Sequence, residues 1–281
     1  MSDLYAVMGN PINHSKSPQI HTDFAEQTQQ DMIYSAILVP LEKFKEEADN
    51  FFRSGMGLNI TVPFKEDAWR YADTYSSRAL RAGAVNTLIK KADGSIHADN
   101  TDGVGMVRDI TVNHQCAIEA KRVLVLGAGG AVRGILELVL EEHPLEVVVA
   151  NRTVPKAETL ALDFADIGKI SACGFDQIEG HFDLIINGTS ASLNGDLPPI
   201  PATAIQSNTV CYDMMYGAEL TVFNQWAKNQ GAERTLDGLG MLVEQAAESF
   251  NAWRNVRPES EPVIRHIRNS LLPAKSTTTK N

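Results

Sequence analysis

KRVLVLGAGGAVRGILELVLEE, residues 121–142, decides how the second half of the chain is read. The apolar run at 123–126 suits a strand buried on both faces, and the apolar spacing after Gly130 suits a helix. Only a glycine turn separates them. That strand-turn-helix context gives a glycine motif its meaning: glycines let backbone amides approach a pyrophosphate, and the helix N-terminus adds partial positive charge. Gly127 and Gly129 hold the first two places of G-x-G-x-x-G, but the sixth place is Val132, with an extra glycine at Gly130. The match is a variant, and it carries a cofactor only in the company of other signals.

One such signal ends the next apolar run, EVVVANRT, at 146–153. An NAD enzyme usually carries a carboxylate there for the ribose 2′-hydroxyl. Asn151, Arg152 and Thr153 stand in its place. A guanidinium suits a 2′-phosphate that a carboxylate would repel, so NADP is favoured, and Lys156 lies one turn further on. Arg152 by itself would read as a surface charge; beside the glycine turn it reads as a cofactor residue. Beyond a helix near 154–166 come FDLIING (182–188), TVCYDM (209–214) and a helix near 219–229. Five or six strands of this kind with helices between them make a Rossmann-like doubly wound parallel sheet. Thr189 and Ser190 leave one of these strands at its carboxyl end, which fits either a cofactor neighbour or an ordinary loop.

Upstream, β-rich runs at 4–9, 33–40, 57–63, 84–91 and 95–99 alternate with helical segments, notably at 17–30 and 41–55, and read as an N-terminal α/β unit. Downstream, MLVEQAAESFNAWRNV (241–256) has helical spacing and a last helix is expected near 261–272. The polar tail AKSTTTKN (274–281) is expected to fray.

The 281 residues suffice for one large or two medium domains, and 43% hydrophobic with 21% charged residues fits a soluble globular protein. A formal net charge of -10 argues against nucleic-acid and anionic-membrane partners, which want a basic footprint. Cys116, Cys173 and Cys211 are odd in number and widely spaced, as reduced structural thiols would be. The start, MSDLYAVMGN, has no basic segment before a long apolar run, and no later stretch is apolar for about 18 residues. A cytoplasmic protein is expected. The acidic turn HADNTDG lacks EF-hand spacing, and no metal is predicted.

Two polar clusters remain. In GNPINHSKSPQIH (9–21), Ser17 before Pro18 is expected to be the N-cap of a helix, and Ser15 adds a second hydroxyl at that N-terminus, an arrangement suited to a carboxylate. Asn86 sits in a β run where an apolar residue would pack better, and Asp99, Asn100 and Asp102 crowd a turn, a place such residues also take for structural reasons. In GLNITVPFKE (57–66), Lys65 directly follows a turn at Pro63, where a solvated lysine is the ordinary reading.

GNPINHSKSP, NITVPFKE, GAVNTL, DNTDG, GAGGAVRG, NRT, NGTS, DMMYG and DGLGMLVEQAA occur in this order along nearly the whole chain. In them the chain resembles the shikimate dehydrogenases, close to the NADP-dependent bacterial type. GAGGA is what that family shows where the general fingerprint is broken. The resemblance implies reversible reduction of 3-dehydroshikimate to shikimate by NADPH, in aromatic amino-acid biosynthesis. It implies that Ser15, Ser17, Thr61, Lys65, Asn86, Asp102 and Gln245 hold the substrate, the serines at its carboxylate and the others at its ring hydroxyls, and that Tyr216 also belongs to the substrate pocket. Gly127, Ala128, Gly129, Gly130, Ala131, Asn151, Arg152, Thr153, Lys156, Met214, Gly238 and Met241 would neighbour the cofactor, Met214, Gly238 and Met241 nearest the nicotinamide.

Hydride transfer to a ketone leaves an alkoxide that needs a proton. Lys65 suits the donor and Asp102 the group that orients it, since a lysine carries its proton at neutral pH by default. Their meeting is a fold prediction. A substrate-binding domain at 1–101, completed by helices at 239–281, would flank an NADP-binding domain at 102–238. The competing readings are a quinate/shikimate dehydrogenase that tolerates NAD and an NADP-binding sensor without catalysis. Monomer and homodimer are left open.

Overall fold

Strands of two to seven residues, punctuated by short helices, build two six-stranded sheets in the computed structural model, which describes residues 2–191 and 195–272. The first sheet contains β1 (Asp3–Gly9), β2 (Met32–Leu38), β3 (Gly55–Ile60), β4 (Thr74–Tyr75), β5 (Thr87–Lys90) and β6 (Ile96–Asp99). Their spatial order is β2-β1-β3-β5-β6-β4. β1 runs parallel to β2 and β3, whereas β5 is antiparallel to β3 and β6. Helices α1 (Ser17–Thr28), α2 (Phe44–Phe51), α3 (Lys65–Tyr71) and α4 (Ser77–Ala82) connect these strands.

α5 (Asp102–Arg108) leads into the second sheet: β7 (Arg122–Leu126), β8 (Glu146–Ala150), β9 (Ile170–Cys173), β10 (Leu184–Asn187), β11 (Val210–Asp213) and β12 (Arg234–Asp237). Its order is β12-β11-β10-β7-β8-β9, with every pairing parallel. α6 (Gly130–Glu141), α7 (Val154–Phe164) and α8 (Val222–Asn229) pack on it. Near-continuous burial of β7 and β10 is what helices on both faces require. The winding direction reverses between β7 and β10, and ligands in such sheets bind at the carboxyl ends of the strands flanking that point.

The C-terminal helices α9 (Leu239–Arg254) and α10 (Glu261–Leu271) return to the first sheet. Val243, Ala246 and Phe250 of α9 share a buried cluster with Ile20 and Phe24 of α1 and Val263 and Ile267 of α10. Phe24 and Phe250 meet edge to face, their ring centroids 5.7 Å apart. Each such apolar side chain stabilises by roughly 1.5–3 kcal/mol when buried, which ties the chain's end to its beginning.

Several boundaries move. The segments read at 41–55 and 219–229 are helical only over Phe44–Phe51 and Val222–Asn229. The helix at 17 starts differently as well: Lys16 is its N-cap residue and no side chain caps it, so Ser17 is the first helical residue and not the cap. Instead the Ser15 hydroxyl accepts the Ser17 amide at 3.3 Å. The expected fraying of 274–281 concerns residues outside those described.

Candidate active site

The turn after β3 delivers Lys65. Phe64 is buried against Phe44, ring centroids 5.6 Å apart, and its amide closes the turn onto the Thr61 carbonyl at 3.1 Å. With Phe64 pinned inward, Lys65 becomes the first residue of α3 and its side chain points across to α5. Its Nζ donates to Asp102 Oδ2 at 2.5 Å, and the two side chains are 30% and 13% exposed. Asn86 Nδ2 donates to the other carboxylate oxygen at 2.8 Å. Asn86 is held in turn, its Oδ1 accepting the Thr101 amide at 2.9 Å. Gln245, on α9, accepts from Asn86 at 3.3 Å and donates to the Leu242 carbonyl at 2.8 Å.

Of the crowded turn at 99–102, only Asp102 faces this ammonium. Asp99 is clasped by the Arg78 guanidinium at 2.6 and 2.7 Å and by Ser76 at 2.6 Å. Burial pushes its carboxyl upward, but the Arg78 contact outweighs that and leaves it below the ordinary value. Asn100 donates to the Ala84 carbonyl. These two are structural.

Around the Lys65–Asp102 pair lies a cleft of about 350 Å³. Ser15, Ser17, Thr61, Lys65, Asn86, Asp102, Tyr216 and Gln245 all line it, and so do Met214, Gly238 and Met241. Burial, and then Asp237, raises the pKa of the Tyr216 hydroxyl, which therefore keeps its proton. His14, Lys16, Asn59 and Leu242 also reach the cleft and were not singled out from the sequence. For Asn59 the signal existed: like Asn86, it is an amide in an apolar β run.

A second cleft of about 920 Å³ opens at the carboxyl ends of β7, β8 and β10. Its lining includes Gly127, Ala128, Gly129, Gly130, Ala131, Asn151, Arg152, Thr153, Lys156, Thr189 and Ser190. Gly127 has φ +106°, a conformation that strains any side-chain-bearing residue, and its amide is fixed to the Ala150 carbonyl at 2.8 Å. The broken fingerprint has a packing reason: Val132 stands where a Cβ on residue 188 would lie, 2.4 Å away, so the close approach is made by Gly188. Asn151 Nδ2 holds the Thr153 carbonyl at 2.9 Å, and Thr189 hydrogen-bonds Asn187 at 2.7 Å. Arg152 and Lys156 are exposed and form no ion pair among the described residues. Two free cations, a glycine turn and a helix N-terminus fit a phosphorylated dinucleotide on an otherwise acidic chain. Phe175, Leu197 and Pro198 give this cleft an apolar wall that was not foreseen. The clefts adjoin at Gly188, since a Cβ there would lie 3.1 Å from Met214 Sδ.

A Rossmann-type sheet bearing a phosphate-ready glycine turn, joined to a polar cleft with a lysine–aspartate pair, defines a nicotinamide-dependent oxidoreductase built on two sheets. Family models match in three consecutive pieces: a shikimate dehydrogenase substrate binding domain at residues 7–88, shikimate/quinate 5-dehydrogenase at 110–194, and a shikimate 5′-dehydrogenase C-terminal domain at 238–268. The chain belongs to the shikimate dehydrogenase family. It is 61% identical over 273 residues to the NADP(+) shikimate dehydrogenase of Cellvibrio japonicus, covering 96% of this chain and 99% of that protein. The NADP(+) shikimate dehydrogenase of Vibrio cholerae is 53% identical, covering 96% and 97%. Among solved structures, the Ael1 enzyme of Pseudomonas putida superposes with a TM-score of 0.91 at 45% identity, covering 97% and 99%. Shikimate 5-dehydrogenase of Thermus thermophilus, in complex with NADP(H) and shikimate, gives 0.85 at 31% identity, covering 96% and 100%.

Proposed function

We infer that this chain catalyses the reversible NADPH-dependent reduction of 3-dehydroshikimate to shikimate. The observation that carries the reading is the Lys65–Asp102 pair at 2.5 Å, inside a cleft that adjoins the glycine-turn cleft. Bound NADPH supplies the hydride to the carbonyl carbon. Lys65 Nζ donates the proton that turns the carbonyl oxygen into the hydroxyl, and in the oxidative direction it takes that proton back. Asp102, with Asn86 on its second oxygen, aims the ammonium. Ser15 and Ser17 hold the substrate carboxylate, Thr61, Asn86 and Gln245 hold the ring hydroxyls, and Tyr216 completes the substrate pocket. Arg152 and Lys156 bind the 2′-phosphate, Gly127 to Ala131 the pyrophosphate, and Met214, Gly238 and Met241 border the nicotinamide.

The same reading assigns substrate binding to residues 1–101 with 239–281 and cofactor binding to 102–238, in a cytoplasmic monomer or homodimer. Quinate with NAD is the less favoured pairing, because no carboxylate stands at Arg152 for a free ribose 2′-hydroxyl. The test is the purified protein with shikimate or quinate and either NADP+ or NAD+, followed by reduced-cofactor absorbance. Shikimate with NADP+ should give the strongest signal; silence in all four combinations would sink the reading.

A further inference from the structure

His21 takes no part in lining the cleft, yet it belongs to α1, the helix that starts beside Ser15 and Ser17. It is fully buried. Its ring stacks on Tyr34, with centroids 4.1 Å apart and 8° between planes. Nε2 lies 3.1 Å from Asn59 Oδ1, and Nδ1 has no partner. Burial holds the imidazole pKa down to about 3, so it is neutral and carries one N–H. With an acceptor beside Nε2 and none beside Nδ1, that hydrogen sits on Nε2.

The Asn59 amide can face only one way. Its Nδ2 is 3.2 Å from the Asn86 carbonyl, which accepts and cannot donate, so Oδ1 must point to the Tyr34 hydroxyl at 2.7 Å and to His21. From Nδ2 the network continues to Thr87 Oγ1 at 3.2 Å and Ser249 Oγ at 3.0 Å. Ser249 donates to the Gln245 carbonyl at 3.0 Å, one turn back along α9. The backbone carbonyls of Asn86 and Gln245 thus rest on Asn59, directly at Asn86 and through Ser249 at Gln245, so Asn59 helps fix where these two residues present their side-chain amides to the cleft.

We propose that His21 is a positioning residue for the substrate cleft: its Nε2–H fixes the Asn59 amide, which sets Asn86 and Gln245 against Asp102. This rests on the shikimate reading above. The experiment compares His21→Phe, which keeps a stacking ring and loses the donor, with His21→Gln, which keeps a donor. Steady-state constants for shikimate and NADP+ are measured on proteins whose melting curves show a folded state. His21→Phe should raise the shikimate KM about tenfold, the upper scale of one buried hydrogen bond lost. The NADP+ KM should stay put and kcat should fall less than the shikimate KM rises, and His21→Gln should recover most of the loss. Tyr34→Phe removes the other donor to the same oxygen and should produce the same split. The proposal is overturned by an unchanged shikimate KM in folded His21→Phe, by both constants rising together, or by no rescue in His21→Gln. If His21→Phe does not fold, an unchanged shikimate KM in Tyr34→Phe overturns it. A wild-type protein that fails to oxidise shikimate would instead remove the functional reading beneath it.

Discussion

Truncating Lys65 to alanine leaves the Asp102 carboxylate with Asn86 as its remaining side-chain partner among the described residues, and removes the ammonium from the cleft. Turnover should fall by roughly 10²–10⁴-fold, the usual scale of general acid–base catalysis. NADP+ affinity should persist, since Lys65 lines only the first cleft. Equilibrium binding alongside the rate assay separates the two, and an equal loss of both would assign Lys65 a folding role. Arg152→Asp should reverse cofactor preference toward NAD+, because a carboxylate repels a 2′-phosphate and accepts a free 2′-hydroxyl. Ratios of kcat/KM for the two cofactors measure this; an unchanged ratio would place the phosphate elsewhere. By local sequence Lys65 is merely the lysine that starts a helix, and its register in α3 agrees with that. What sets it apart is a partner 37 residues away, a distance local pattern does not reach.

At the scale of elements, the site depends on how α5 crosses α9. A Cβ on Gly105 would lie 2.7 Å from the backbone nitrogen of Gln245 and 2.8 Å from the Met241 carbonyl oxygen, so the crossing needs a glycine. Gly105→Val should destabilise by about 1–3 kcal/mol, as overpacking of a tight contact does. It should also raise the shikimate KM by displacing Gln245. Urea unfolding with kinetics on the folded fraction checks both; wild-type stability would mean that the helices separate freely. The elements themselves were unevenly legible. β7 and β10 announce themselves because strands covered on both faces are continuous apolar runs. β9 and β12 were not singled out, since they are four-residue edge strands with only partial burial. Ser17 has the sequence of an N-cap but lies one residue inside the helix, with Lys16 in the N-cap place and the Ser15 hydroxyl accepting the Ser17 amide.

At the scale of the molecule, His21 makes the fold acid-sensitive. Its pKa falls from an ordinary 6.5 to about 3 on folding, so between these values the unfolded chain binds more protons. The stability it contributes is complete above pH 6.5 and is lost as pH drops toward 3, at ~1.4 kcal/mol per unit. From pH 7 to 5 wild type should therefore lose ~2 kcal/mol more than His21→Phe in urea unfolding. Parallel losses would show that His21 titrates normally. Between the two sheets, Arg81 on α4 grips Asp166, just beyond α7, in a bidentate pair at 2.7 and 2.9 Å. Asp166 is 63% exposed, so Arg81→Ala should lower the thermal midpoint only slightly, and a large drop would reveal a stronger coupling of the halves. The amino-acid sequence alone determines the alternation of strands and helices, the glycine turn, and the replacement of an acid by Asn-Arg-Thr at residues 151–153. Those features are local, and propensity and periodicity act over a few residues. The contact of Lys65 with Asp102, the choice of Asp102 over Asp99 as the acid that faces the cleft, and the buried His21–Asn59 support are decided by tertiary structure alone. Each depends on segments far apart in sequence that tertiary packing brings within hydrogen-bonding distance: α3 and α5 for the lysine pair, α4 and β6 for Asp99, and α1 and β3 for His21.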